Sequence, residues 1–114
     1  MKYEELYPID REEALAMLAV GDVRSVSQAI LRLALHDPDD HWVTERAMKL
    51  LESPEVGIRV VAATALGHTA RIHKRIDERV VPALQQLLAD PETSGRAQDA
   101  LDDIEIFALR QGNR

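Results

Sequence analysis

The sequence predicts an all-α fold, about six helices in antiparallel pairs forming a short right-handed α-α superhelix. Three observations carry that expectation. Apolar residues make up 46% of the 114 positions and aromatics only 4%. Such a core is built from Ala, Leu, Val and Ile, which suits closely packed helices better than a sheet. The stretch from Ser53 to Ala70, SPEVGIRVVAATALGHTA, is apolar on two nearly opposite helical stripes. Val56, Val60, Ala63, Gly67 and Ala70 lie on one, and Ile58, Val61, Ala65 and, beyond its end, Ile72 on the other. A helix apolar on both sides must be covered on both sides, so this one is the middle layer of a stack. The third observation is that the chain repeats itself.

The elements follow in order. Asp10 and Glu13 stand at capping-box spacing, with Ala14, Met17 and Leu18 at helical intervals behind them. Gly21 ends that helix and Asp22 caps the next, whose stripe is Val23, Val26, Ile30, Leu33 and Ala34, ended by Asp37-Pro38. A third helix turns Val43, Ala47, Leu50 and Leu51 inward. The central helix starts from Ser53 as cap with Pro54 in its first turn, and leaves through the basic run Arg71-Ile72-His73-Lys74-Arg75. Asp77 opens a fifth helix, VVPALQQLLAD, in which Pro82 falls close enough to the start to be tolerated. Asp90-Pro91-Glu92 opens the last, with Ala97, Ala100, Leu101, Ile104 and Phe107 inward, and QGNR is expected to fray. The pairs are expected at 10–36, 40–73 and 77–109 of a single domain, 1–114.

A shift of 33 positions lays Ala14, Met17, Leu18, Asp22, Val23, Ala29 and Leu33 on Ala47, Leu50, Leu51, Glu55, Val56, Ala62 and Leu66. A shift of 37 lays Leu50-Leu51-Glu52-Ser53-Pro54-Glu55 on Leu87-Leu88-Ala89-Asp90-Pro91-Glu92, and Arg59 on Arg96. Glu55 with Arg59, and Glu92 with Arg96, are i,i+4 pairs in the favourable order. Self-similarity at this period marks a helical solenoid. VVPALQQLLADPE and SPEVGIRVVAATALG resemble the two helices and the turn of the HEAT-repeat family, in particular its small bacterial HEAT-like members. The resemblance covers roughly Arg11 to Leu109. The first pair departs from it, with Val26 in the place of the arginine, and the third carries Asp102 and Asp103 where the pattern has Ala and Leu. Both departures fit end caps.

Composition and motifs argue against catalysis. There is no cysteine, so disulfides and thiolate metal sites are excluded. His36, His41, His68 and His73 form no His–His i,i+4 pair and no HExxH. The His-Glu pairs through which HEAT-like enzymes resembling deoxyhypusine hydroxylase bind iron are absent, since Asp37, Trp42, Thr69 and Lys74 follow the histidines. No nucleophile elbow or phosphate-binding glycine loop is present. The reading is no enzyme, no metal and no cofactor. A net charge of −6 disfavours nucleic acid and suits a basic protein partner. A DNA-binding role in the style of HEAT-like glycosylases would need a basic concave face, and the basic exit at Arg71 to Arg75 is a single loop. MKYEELYPID lacks the apolar run of a signal peptide and no stretch is long enough to span a membrane, so the expected location is cytoplasmic.

A binding surface is the positive expectation. If Val56, Val60, Ala63 and Gly67 face their partner helix, then Ile58, Val61, Ala65 and His68 point the other way, onto the concave face of a solenoid. The rows that align with it are Ser25, Gln28, Arg32 and Leu35, and Gly95, Gln98, Asp102 and Glu105. That surface would have an apolar centre, a polar-to-basic side from Gln28 and Arg32, and an acidic side from Gln98, Asp102, Asp103 and Glu105. The competing reading is that Ile58 and Val61 are covered by adjoining pairs, and the sequence does not decide between them. Trp42 is read as packing against the preceding pair in preference to anchoring an interface. Small acidic HEAT-like proteins resemble immunity proteins of toxin systems. The resemblance implies binding and occlusion of a cognate, often basic, nuclease toxin, with Asp102, Asp103 and Glu105 steering and Ile58 and Val61 buried on contact. The alternative it implies is an adaptor or self-associating subunit of a larger enzyme, as in members resembling phycobilisome lyases, monomeric or homodimeric.

Overall fold

The computed structural model describes residues 5–109. They form six α-helices and no strand: α1 (Arg11–Val20), α2 (Val23–His36), α3 (Asp40–Leu50), α4 (Val56–His73), α5 (Val80–Leu87) and α6 (Pro91–Ile104). α6 runs on into a π-helical segment, Glu105–Leu109. QGNR lies outside the described residues.

Local chemistry sets most of the boundaries. Asp10 accepts from the Glu13 amide and Asp22 from the Ser25 amide, each satisfying an orphan donor of a first turn. Gly21 closes α1 at φ 87°, where a Cβ would be strained. Asp39 caps α3 through the Trp42 amide. Ser53 and Asp90, paired by the 37-residue shift, make the same bond: Ser53 Oγ accepts from Glu55 N at 3.1 Å and Asp90 Oδ1 from Glu92 N at 2.9 Å. The expected start of the central helix nevertheless moves. Ser53 makes a turn, and regular α bonding begins only at Val56 with Glu55 as its cap. Asp77 likewise makes a turn with the Arg79 amide, and α5 begins at Val80. Pro82 then falls in the first turn, where its missing N–H has no intrahelical partner to lose.

α1 packs on α2, α3 on α4 and α5 on α6, while α4 lies between α2 and α6. Ion pairs fix the sense of two pairs. Arg11, at the start of α1, grips Asp37, at the exit of α2, with two bonds of 2.9 and 2.8 Å. Arg75, past the end of α4, grips Asp40, at the start of α3, at 2.9 and 2.7 Å. Each pair is therefore antiparallel and closed at the end its own loop leaves open. Between α4 and α6, Arg59 reaches Asp90 at 3.6 Å and Gly67 abuts Ala100, so contacts advance in the same direction and the two helices run parallel. Arg59 also donates to Ser53 O at 2.8 Å, and Arg96 lies 3.9 Å from Asp99. Both arginines are thus directed elsewhere than to the glutamates expected at i,i−4.

The core runs through all six helices, with Ile30, Leu33, Leu66, Leu84 and Ile104 completely enclosed. α4 contributes buried residues to both stripes: Ala63, Gly67 and Ala70, and Ile58, Val61 and Ala65. Ile72 is exposed. Trp42 is half-buried against the core with the Arg11 and Arg46 guanidinium carbons 4.3 and 5.1 Å from its ring centre, which bears out the packing reading. Phe107 is only half-buried. The wider π turn places Ala108 inward and leaves Phe107 beneath the Lys74 ammonium at 4.7 Å.

Two glycines should respond in opposite ways to substitution. A Cβ on Gly67 would stand 3.2 Å from Ala100 Cα, so it is the absence of a side chain that lets α4 and α6 approach. Gly95 lies within α6 with nothing within 4 Å of where its Cβ would be. Gly67→Val should lower the unfolding free energy by about 2 kcal/mol through overpacking, and Gly95→Ala should raise it by about 1 kcal/mol through helix propensity. Chemical denaturation of both variants checks the contrast.

Candidate functional site

The surfaces of the two outer parallel helices differ. On α2, Arg32 Nε donates to Tyr7 O at 2.8 Å and its Nη2 to Pro8 O at 3.3 Å, while His36 Nε2 bonds Leu6 O at 2.7 Å. The segment at residues 6–8 is strapped along this helix, and the Arg32 guanidinium is used in holding it. The basic side expected from Gln28 and Arg32 is therefore not displayed as such. Both residues are half-buried.

The apolar centre expected from α4 is also absent from the surface. Ile58, Val61 and Ala65 are 5%, 9% and 0% exposed, covered because α4 is sandwiched by α2 and α6 with α3 behind. Having neighbours on both sides leaves no free apolar row on this helix. Only His68 remains half-exposed. It lines a groove of about 200 Å³ between α4 and α6 with Thr64, Gly67, Arg96, Asp99 and Asp103, so the structure brings His68 and Asp103 together. Arg71 Nη2 lies 3.1 Å from His68 Nδ1, and a guanidinium can only donate. Nδ1 is therefore the acceptor and the imidazole is neutral with its proton on Nε2. Burial, and after it Arg71, pushes His68 below its ordinary 6.5, against the opposing pull of Asp103.

On α6 the expected acidic side is present. Gln98, Asp99, Asp102 and Glu105 are exposed along one ridge, with Asp102 accepting from Gln98 Nε2 at 2.9 Å. On its far side from α4 the ridge borders a second groove, about 490 Å³, between α5 and α6. Val81, Leu88, Leu101, Ile104 and Leu109 supply the apolar lining, and Gln98 and Glu105 stand at its lip. Leu88, Leu109 and the nearby Ile106 are well exposed, at 37%, 45% and 49%. Large apolar side chains next to a one-signed charged ridge are the usual make-up of a docking surface. Sequence reasoning found the ridge and missed the groove. Leu87-Leu88 was read through its alignment with Leu50-Leu51, and no local signal says that Leu51 is covered while Leu88 is not.

The basic exit is occupied within the molecule: Arg71 by His68, Lys74 by Phe107 and Arg75 by Asp40. One grouping of metal-ligand type occurs among the described residues. Atoms of His41, Glu45 and Asp77 lie within 4.8 Å of one another, His41 and Glu45 being one helical turn apart and Asp77 coming from the α4–α5 loop. Arg79 already binds both carboxylates, at 2.9 Å to Asp77 and through a short contact to Glu45. It holds the Asp77 carboxyl down at about 2. A cation would have to displace that guanidinium.

The geometry defines a small all-α protein layered about one central helix, with an acidic ridge and an apolar groove at one end of the stack. No family model matches the sequence, and no curated protein matches it. Among solved structures, a similar chain is found. It comes from the crystal structure of a CDI complex from Cupriavidus taiwanensis LMG 19424, with a TM-score of 0.79 and 30% sequence identity, covering 94% of this chain and 97% of that one. The chain belongs to the same family as that component of the complex. No described helix is long and apolar enough to cross a membrane.

The protonation states give a pH prediction. A histidine held below its ordinary value contributes stability above that value and loses it as pH falls, because the unfolded chain takes up the proton first. The denaturation midpoint should fall from about pH 7 to about pH 5, and His68→Gln should flatten part of that slope. Asp37, Asp40 and Asp77, depressed mainly by Arg11, Arg75 and Arg79, add stability above the usual carboxylate range. That contribution is lost only as pH drops below 3.8, for Asp77 toward about 2. An unchanged slope in His68→Gln would show that the neutral imidazole is not part of the stability balance.

Proposed function

We propose that this protein is a non-enzymatic immunity protein that binds a cognate toxin domain stoichiometrically and occludes its active site. The observation that supports this most is the likeness to a component of a CDI (contact-dependent inhibition) complex over nearly the whole of both chains. The acidic ridge of α6 supports a basic toxin, a nuclease being the class whose substrate requires a basic surface. In this reading the three helix pairs are one HEAT-like domain, a short right-handed solenoid acting in the cytoplasm as a scaffold for its outer face.

The mechanism is capture without chemistry. Asp102 and Glu105, with Asp99 beside them, attract a cationic domain over several ångströms and bias its approach toward the α6 end of the stack. Asp103 adds to the same field from within the α4–α6 groove. Contact then excludes water from the ridge, and the bulk of the helical stack blocks the toxin's substrate. Ile58 and Val61 have no part in this contact, since both are already enclosed.

Expressed with its cognate toxin domain, this protein should restore growth of a bacterial host that the toxin alone arrests. The association rate of the purified pair should fall roughly tenfold between low and high salt, and Asp102→Lys with Glu105→Lys should slow it by at least as much. Stopped-flow fluorescence checks both. A rate indifferent to salt and to the charge reversal would remove steering by α6, and failure to protect would remove the immunity role.

A further inference from the structure

Gly95 has no structural reason to be glycine. It sits inside α6 at ordinary helical geometry, is exposed, and has open space where its side chain would be, so any residue other than proline would favour the helix more. Gly21 is needed for its positive φ, and Gly57 and Gly67 for contacts with Val23 and Ala100. What Gly95 does provide is an unobstructed approach to the α6 backbone. One turn further on stands Gln98, then Asp102, then Glu105, all exposed at the helical spacing of a single face. Gln98 and Glu105 are also the lip of the α5–α6 groove.

The geometry points to one docking track on this face: a basic, amphipathic segment of the toxin crosses α6 with its main chain against Gly95. It inserts an apolar side chain between Leu88, Leu101 and Leu109 and sets Lys or Arg side chains on Asp102 and Glu105. This rests on the immunity reading and adds to it the place and chemistry of the contact. Charge selects the occupant. The ridge beside the groove carries Asp99, Asp102 and Glu105 against Arg96, its single cation among the described residues, which lies 3.9 Å from Asp99. An acidic or neutral segment gains nothing from that rim, whereas a cationic one is attracted to it and oriented by it. The apolar lining supplies the desolvated anchor that such a contact needs at its centre.

Gly95→Leu tests the track without endangering the fold, since the added side chain enters open space on an exposed helix face. The variant should melt no lower than the natural protein while its Kd for the cognate toxin domain weakens at least tenfold. Leu88→Lys, which puts a cation into the groove, should weaken binding similarly, and Leu15→Lys on the far helix α1 should leave it unchanged. Normal toxin binding by Gly95→Leu and Leu88→Lys would overturn the track while leaving the immunity role standing. If the natural protein binds no toxin domain, the immunity role fails instead. The surface is then decided by titrating 15N-labelled protein with a synthetic peptide of alternating Leu and Lys and with its Leu–Glu counterpart. Shifts gathered at Leu88, Gln98, Leu101, Asp102 and Glu105 with the cationic peptide alone would support the track, and scattered or absent shifts would overturn it. A homodimer in sedimentation that Gly95→Leu dissociates would also overturn it, by making a second copy the occupant.

Discussion

The double-sided burial of α4 is the constraint on which the rest of the structure depends. Eighteen residues with Arg59 as the only charge before Arg71 cannot leave either face in water. α2 takes one side and α6 the other, and the approach of α6 is set by the missing side chain of Gly67 against Ala100. With the centre filled, α4 has no free face for a partner, and in its layer that leaves α2 and α6. Their outer faces are finished differently. α2 is covered by residues 6–8, held down by Arg32 and His36. α6 is left bare, acidic and grooved.

That asymmetry also orders the charges. Four arginines of the described chain act as clamps: Arg11 on Asp37, Arg75 on Asp40, Arg79 on Asp77 and Glu45, Arg59 on Ser53 O and Asp90. Exposed pairs of this kind contribute little each to stability. Their larger consequence is to neutralise acids in the loops and on α3, while α6 keeps Asp99, Asp102, Asp103 and Glu105 against Arg96 alone among the described residues. A protein can thus be modestly acidic overall and strongly one-signed at one end, which is the arrangement that steers association.

The sequence was most legible where the chemistry is local. Asp10, Asp22, Gly21 and Asp90 could be read because a cap needs only its next three or four residues, whereas the cap expected at Ser53 falls on Glu55. Apolar periodicity showed that α4 is covered on both faces, and the acidic row on α6 was legible from its spacing. It did not show whether Ile58 and Val61 were free, because the cover on a stripe belongs to helices tens of residues away. Arg32 was misplaced for the same reason: its acceptors, Tyr7 O and Pro8 O, lie in a segment with no pattern of its own. The π-helical turn at Glu105–Leu109 shifted the inward position from Phe107 to Ala108, a change of winding that no residue type announces. The groove depends on Leu88 and Leu109, far apart in sequence, lining one cleft on the outer side of the third pair.

The central claim is that the acidic end of this stack is where a toxin is held. Hydrogen exchange of the protein alone and in complex with its cognate toxin domain tests that most directly. The account predicts slowed exchange across α6 and the π-helical segment that follows it, with α1 and residues 6–8 unchanged. Protection confined to α1, α2 or α3 would place the contact on the opposite end and contradict it.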